Sequence, residues 1–511
     1  MSHLPILPIL VPFIAAAVLL LAHGRSMVTK RAISLTSIAA LLIVAAMLLT
    51  TSNDAAPRAF GPETGPAPLG IVLGPDRLSA LMVSVTAILG LAVLASAMSG
   101  ADRQGRHFHA FLQLELAGLN GAFLTGDLFN LFVFFEILLL ASYALLVHGG
   151  GLTRTRAGLG YVILNLAGSA LFLVSLGLVY GTLGTLNMAD LSLVLTKVAA
   201  ADQPLVRTAL ALMVAVFVLK AALLPLGFWL PGVYTAATLP VSVLFVIMTK
   251  VGIYALLRLS TIGLATAPFT AGLLQPWLPW LAIGTIALGS LGALAARRFA
   301  VVVANLVMIS SGTLLLAVAD GSPPALAAAL YYMTHSTLVT AALFLMSDLI
   351  ARQRGAFADR LETGPRIATF MGLGAVYLVL AVAVSGAPPL SGFLAKLMVM
   401  QSLAHTPTAV ATWAALLISG LVVALVLARA ASVIFWEPEK SDAAERAPAP
   451  SIPIGIRTAL VLMLAGAPLL AVAASPFATY ARAAAGQLTA PARYVEAVIG
   501  PAPRIERERR P

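Results

Sequence analysis

Runs of about twenty apolar residues recur along most of this chain, and several hold a charge near their middle. A helix of that length, at 1.5 Å per residue, crosses the roughly 30 Å hydrocarbon core of a bilayer. Inside hydrocarbon every backbone N–H and C=O has to find a partner within the protein, which such runs achieve as helices. Apolar windows bounded by turn and charge signals fall at 4–22, 32–50, 75–98, 108–125, 127–148, 159–182, 207–239, 241–260, 277–296, 299–319, 325–350, 366–404, 409–436 and 455–474. The chain is therefore expected to be an all-α integral membrane protein with about fourteen transmembrane helices. With 60% hydrophobic and only 10% charged residues, a soluble globular fold is excluded.

Two further classes drop out on composition. Cysteine is absent, which removes disulfide frameworks, thiolate metal sites, Fe–S clusters and cysteine nucleophiles. The net charge of +11 is no nucleic-acid signal, because no basic block is interleaved with aromatics and the cations concentrate beside the apolar windows. Sixteen Lys and Arg follow odd-numbered windows, among them Arg366, Lys440 and Arg446, and five, Arg58, Arg77, Lys197, Arg207 and Arg258, follow even-numbered ones, so the odd loops are expected in the cytoplasm and both termini outside. Arg482, Arg493, Arg504, Arg507, Arg509 and Arg510 in the tail oppose that orientation; the short loops outweigh them collectively. The opening MSHLPILPILVPF has neither a basic lead nor a small-residue cleavage site and reads as a retained helix.

Glu136, Lys220, Lys250 and Lys396 sit deep in these windows. A charge at mid-bilayer costs about 2.5–3.5 kcal/mol on insertion scales, so such groups face a hydrated interior and mark ion or proton paths. Two windows exceed one straight crossing and are broken by proline: Lys220 lies five residues before Pro225, and Lys396 seven residues after Pro389. Both breaks contain Pro-Leu followed shortly by Gly-Phe, five windows apart, which suggests an internal repeat. Discontinuous helices in corresponding positions point to a transport site, since freed backbone groups at membrane depth need protein or water to satisfy them.

Each charge has its own logic. Asp127 and Glu136 are nine residues apart, about 13 Å along a helix and on opposite faces, so Asp127 is expected to start its helix while Glu136 lies mid-bilayer. Lys220 has no countercharge within its own window, which makes Glu136 the leading candidate partner. Lys250 lies about ten residues from either end of its window, too deep to snorkel. Lys396 serves either as a relay or as a counterion for carbonyls freed at the second break. His335, ten residues into its window, is a proton-shuttle candidate. Glu115 is a candidate for the cytoplasmic mouth, and Arg429 is placed to snorkel. His and carboxylates do not cluster at ligand spacing, so no metal site is expected.

The segments TGDLFNLFVFFEILLLASYALL, LKAALLPLGFWLPGVY, YYMTHSTLVTAALFLMSDLIARQRG and GAPPLSGFLAKL together resemble the D-type subunit of the Mrp-type (Mnh/Pha) multisubunit cation/proton antiporters. The chain is similar more distantly to antiporter-like membrane subunits of respiratory complex I and membrane-bound hydrogenases. The resemblance covers essentially the whole chain. It implies three N-terminal helices in 1–106, two inverted five-helix repeats in 107–260 and 277–436 with broken helices at Pro225 and Pro389, and a last helix with a basic tail in 437–511. It also implies a proton path through Glu136, Lys220, Lys250 and Lys396, which His335 is expected to join with water unless the path is rearranged there. Many relatives carry a lysine a few residues after the histidine, where this chain has Val339 and Thr340. The implied activity is exchange of cytoplasmic Na⁺, with K⁺ or Li⁺ as alternatives, for external protons. The implied setting is a multi-pass assembly with other subunits and lipid in the bacterial cytoplasmic membrane, without enzyme chemistry or cofactor. A redox-driven proton pump and an inert membrane scaffold are the competing classes.

Overall fold

The computed structural model describes residues 3–52, 72–271, 273, 276–365, 367, 369–436 and 452–500. Arg58, Arg366, Lys440 and Arg446 of the loop count, and Arg504, Arg507, Arg509 and Arg510 of the tail, lie outside the described residues.

Helix starts follow capping chemistry near the N-terminus. After α1 (Leu7–Leu21), Ser26 accepts the Thr29 N–H to open α2 (Met27–Thr51), and Asp76 accepts the Ser79 N–H at 2.8 Å to open α3 (Arg77–Ala97). α4 (Phe108–Leu124) precedes α5 (Leu128–Leu146), whose cap is Asp127 accepting the Asn130 N–H at 2.8 Å. That is the helix-starting role expected of Asp127. α6 (Leu152–Leu183), a short α7 (Met188–Leu195) and α8 (Gln203–Lys220) follow. Next come α9 (Trp229–Ala236), α10 (Leu239–Phe245), α11 (Met248–Arg258) and a single turn, α12 (Pro268–Ala271). The second half holds α13 (Leu278–Ala295), α14 (Phe299–Asp320), α15 (Pro323–Arg354), α16 (Phe370–Ser385), α17 (Ser391–Ser402) and α18 (Ala409–Ala431). α19 (Ile454–Val472), α20 (Ala474–Leu488) and α21 (Pro491–Ile499) complete the order.

Each apolar window holds helix. Among the described residues, twelve helical stretches are long and apolar enough to cross a membrane. The two windows outside that number hold α4, with 17 residues, and the divided pair α16 and α17. The α10–α11 window is also interrupted at Val246–Ile247, which its uninterrupted apolar sequence did not suggest. α7, α12, α20 and α21 fall outside the windows because they are short or amphipathic.

Burial sorts the spans into an interior and a shell. The most apolar windows of α3, the α10–α11 stretch, α14 and α15 are 89–94% buried, whereas those of α1, α2, α6, α13, α18 and α19 are only 33–39% buried. The charged side chains at issue lie on or against the interior helices. Arg258, counted from sequence as a loop cation, is instead buried at the end of α11, where it forms a forked pair with Asp76 at 2.5 and 2.7 Å and donates to Ser79 and Tyr254. A buried, fully hydrogen-bonded ion pair of this kind fixes α3 against α11. Arg429 donates to the Ala296 carbonyl at 3.0 Å, tying α18 to the end of α13, and so does more than snorkel. The C-terminal helices cover the Asp76–Arg258 end of the bundle through Tyr480, which donates to Arg77 O at 2.7 Å.

Candidate functional site

Lys220 is the last residue of α8 and is 5% exposed. The helix ends there because the next residues leave helical geometry: Ala222 has a φ of 54°, and Gly227 lies so close to the Ala222 carbonyl that a Cβ would overlap it. The freed Leu219 carbonyl accepts the Ala222 N–H and the Trp229 indole N–H, while Leu224 N–H donates to Thr285 Oγ1 at 2.9 Å. The break at Pro225 is thus satisfied by protein, as membrane depth requires.

The lysine's own partner is Asn165. Lys220 Nζ donates to Asn165 Oδ1 at 3.2 Å and lies 5.9 Å from the centre of the Phe135 ring. Glu136, half-buried, accepts a hydrogen bond from Ser169 Oγ. Asn165 and Ser169 are four residues apart on α6, on one face of the helix. Glu136 and Lys220 therefore do not form a direct ion pair; α6 presents an amide to one and a hydroxyl to the other.

Lys250 occupies the first turn of α11, fully buried, and among the described residues its Nζ has no hydrogen-bond partner. Two residues further on, Gly252 packs directly on the first break, where a Cβ would fall 2.5 Å from Ala221 N and 2.8 Å from Lys220 C. This contact, available only to glycine, brings the Lys250 helix against the Lys220 terminus. Further buried polar atoms without partners among the described residues include Thr249 Oγ1 beside Lys250, Ser310 and Ser311 Oγ on α14, and both carboxyl oxygens of Glu115 on α4. Such groups require water or a mobile proton to be satisfied.

At the second break, Gly386 ends α16 in the left-handed region at a φ of 84°, and α17 begins at Ser391. Lys396, 9% exposed, donates from Nζ to the Ser385 carbonyl at 2.8 Å. The counterion role for a freed carbonyl is therefore realised in the geometry. His335, in the middle of α15, shares a hydrogen bond with Ser391 Oγ through Nδ1 at 2.9 Å. A Cβ on Gly392 would overlap the Ala383 carbonyl and come within 3.0 Å of His335 Nε2, so the start of α17 is pressed against the histidine. Val339 is fully buried, and Thr340 spends its hydroxyl on Ser336 O at 2.5 Å.

The structure thus gathers Glu136 with Lys220 and Lys250 around the first break, and His335 with Lys396 around the second. Asn165, Ser169, Thr249, Ser310, Ser311 and Ser391 were not singled out from sequence, since Ser, Thr and Asn in apolar windows are common and carry no pattern of their own. Among the described residues no group of three or more His, Asp or Glu is placed to hold a metal ion.

Broken helices and buried lysines on a largely helical multi-pass bundle define a membrane protein with a polar interior. Residues 125–427 match the family described as NADH:quinone oxidoreductase/Mrp antiporter, TM. The chain is 40% identical to the probable K(+)/H(+) antiporter D-type subunit of Rhizobium meliloti (strain 1021), over 99% of this chain and 98% of that protein. It is 34% identical to the Na(+)/H(+) antiporter D-type subunit of Bacillus subtilis (strain 168), over 98% of this chain and 100% of that protein. It superposes on a chain of the Mrp complex from Dietzia sp. DQ12-45-1b with a TM-score of 0.86 at 26% identity, covering 98% and 99% of the two chains. This chain belongs to the NADH:quinone oxidoreductase/Mrp antiporter transmembrane family.

Proposed function

We propose that this chain is the member of a multisubunit monovalent cation/proton antiporter that conducts protons along Glu136, Lys220, Lys250, His335 and Lys396. One observation carries the reading: three lysines lie buried across the bundle, and among the described residues none is within ion-pair distance of a carboxylate. Buried ammoniums held by an amide, by a carbonyl or by nothing are costly as structure and useful as proton carriers. Protons move stepwise through water between these groups, and each arrival changes its neighbour's proton affinity electrostatically. Ser310 and Ser311 on α14, with Thr249, offer hydroxyls for water between the Lys250 and His335 stations. Glu115 is a further buried carboxyl on the side of α4.

The same reading assigns 1–106 to three leading helices, 107–260 and 277–436 to two inverted five-helix repeats with breaks at Pro225 and Pro389, and 437–511 to a fourteenth helix and tail. It places the chain in the bacterial cytoplasmic membrane with both termini outside and with other antiporter subunits and lipid as its neighbours. The named relatives differ in their cation, so K⁺ and Na⁺ are both tested. A second reading, a redox-driven proton pump, is supported by the family's joint description with NADH:quinone oxidoreductase.

The test uses inverted membrane vesicles holding the whole assembly and an imposed pH gradient. Addition of Na⁺ or K⁺ collapses the gradient in wild type, and the Glu136→Ala variant does not respond. A gradient built by electron donors without either cation, and untouched by cation addition, overturns the antiporter reading in favour of the redox one.

A further inference from the structure

A cavity of about 500 Å³ opens where the turn between α1 and α2 meets the loop before α4. Five basic side chains line it: His23, Lys30, Arg106, His107 and His109. Lys30 Nζ donates to the His23 carbonyl at 2.8 Å, which closes the α1–α2 turn and leaves two ammonium protons free. The one acidic lining residue, Asp102, is already taken. It accepts two hydrogen bonds from Arg31 at 2.7 and 2.9 Å and lies 3.3 Å from His109 Nε2. Lys30 and Arg106 thus face the cavity without a carboxylate to neutralise them, and neither forms an ion pair among the described residues.

The cavity's other wall is apolar, formed by Leu19 and Met27. Beside it Leu21 and Val28 are 86% and 76% exposed, so the lipid-facing surface of α1 and α2 runs to its rim. Paired cations above an apolar helix surface match an anionic lipid, phosphate at the polar level and acyl chains along the helices. We propose that this cavity binds the phosphate headgroup of an anionic phospholipid, held by Lys30 and Arg106 with His23 and His107 at its edge.

The assembly, purified in neutral detergent with the subunits that accompany this chain, is titrated with phosphatidylglycerol, and retained lipid is read by native mass spectrometry. Removing both cations in the Lys30→Gln/Arg106→Gln double variant is expected to weaken retention of one lipid roughly thirtyfold. Arg106→Gln alone, an exposed position whose loss spares the α1–α2 turn, is expected to give an intermediate loss. Arg103→Gln, exposed and outside the cavity lining, leaves retention unchanged. Equal retention in wild type and double variant overturns the proposal. So does equal retention of phosphatidylcholine, which lacks net charge. Thermal stabilisation by inorganic phosphate matching that by phosphatidylglycerol assigns the site to free phosphate and overturns the lipid assignment.

Discussion

The two helix breaks hold their lysines in different ways. At the first, Lys220 reaches away from its own break to the Asn165 amide on a neighbouring helix, with Glu136 held by Ser169 on the same helix face. At the second, Lys396 turns back on its own break and donates to the Ser385 carbonyl, while His335 is held by Ser391. A side-chain amide lets go of an ammonium with no consequence for the backbone. A freed carbonyl at membrane depth does not, because its loss leaves the helix end unsatisfied. Lys220 is thus placed to change charge freely, whereas Lys396 combines any relay step with holding α16 and α17 together.

The largest effect that would break this contrast comes from truncating each lysine. Lys220→Met is expected to abolish cation-dependent exchange while the assembly still forms. Lys396→Met is expected to lower assembly and exchange together, because a helix-end carbonyl stripped of its charged donor costs about 1.5–3 kcal/mol and loosens the break. Equal assembly in the two variants, read by co-purification, would erase the distinction. Next in size is Asn165→Leu, which takes from Lys220 a hydrogen bond to a charged group worth about 1.5–3 kcal/mol. Exchange should slow and its pH profile move, with little change in assembly; an unmoved profile would mean that Asn165 does not tune Lys220.

Gly252→Ala sharpens the comparison from the other side of the first break. The added methyl meets backbone at Ala221, so overpacking of about 1–3 kcal/mol is expected, with α11 displaced from Lys220. Reduced exchange at preserved expression is the expected result, and wild-type exchange would show that the close approach is dispensable. Ser391→Ala has a smaller predicted cost, about 1 kcal/mol for one neutral hydrogen bond. It is expected to alter exchange through His335 while Ser391→Thr restores it.

The effect with the least bearing on exchange lies outside the spans. Burial opposes ionisation of Asp102, yet hydrogen bonds from His109 and Arg31 overcome it and hold the carboxyl down at about 2, against 3.8 ordinarily. A lowered carboxyl stabilises the fold above its unfolded value and loses that contribution as pH falls through the folded one. Acid unfolding of wild type should therefore gain a component between pH 3.8 and about 2, which Asp102→Asn removes.

Much of this arrangement is legible in the amino-acid sequence. Apolar run length announces the spans, and the cost of a charge in hydrocarbon singles out Lys220, Lys250 and Lys396, all of which are buried. Proline near a lysine locates both breaks. The partners are not legible, because which face of α6 meets Lys220 depends on packing between residues 55 positions apart. Glu136 lies near Lys220 without the expected direct pair for that reason: opposite charges were the visible signal, while Asn165 and Ser169 looked like ordinary polar residues. The interruption at Val246–Ile247 has no proline or glycine to mark it, and Arg258 read as a loop cation because its countercharge, Asp76, lies 182 positions away.

The central claim, that Lys220 carries protons and is no mere counterion, is tested most directly in inverted vesicles holding the full assembly. Collapse of an imposed pH gradient by Na⁺ or K⁺ is compared between wild type and Lys220→Ala at matched assembly. Lost exchange with the assembly intact is the predicted result. Unchanged exchange would contradict it and place the proton path elsewhere.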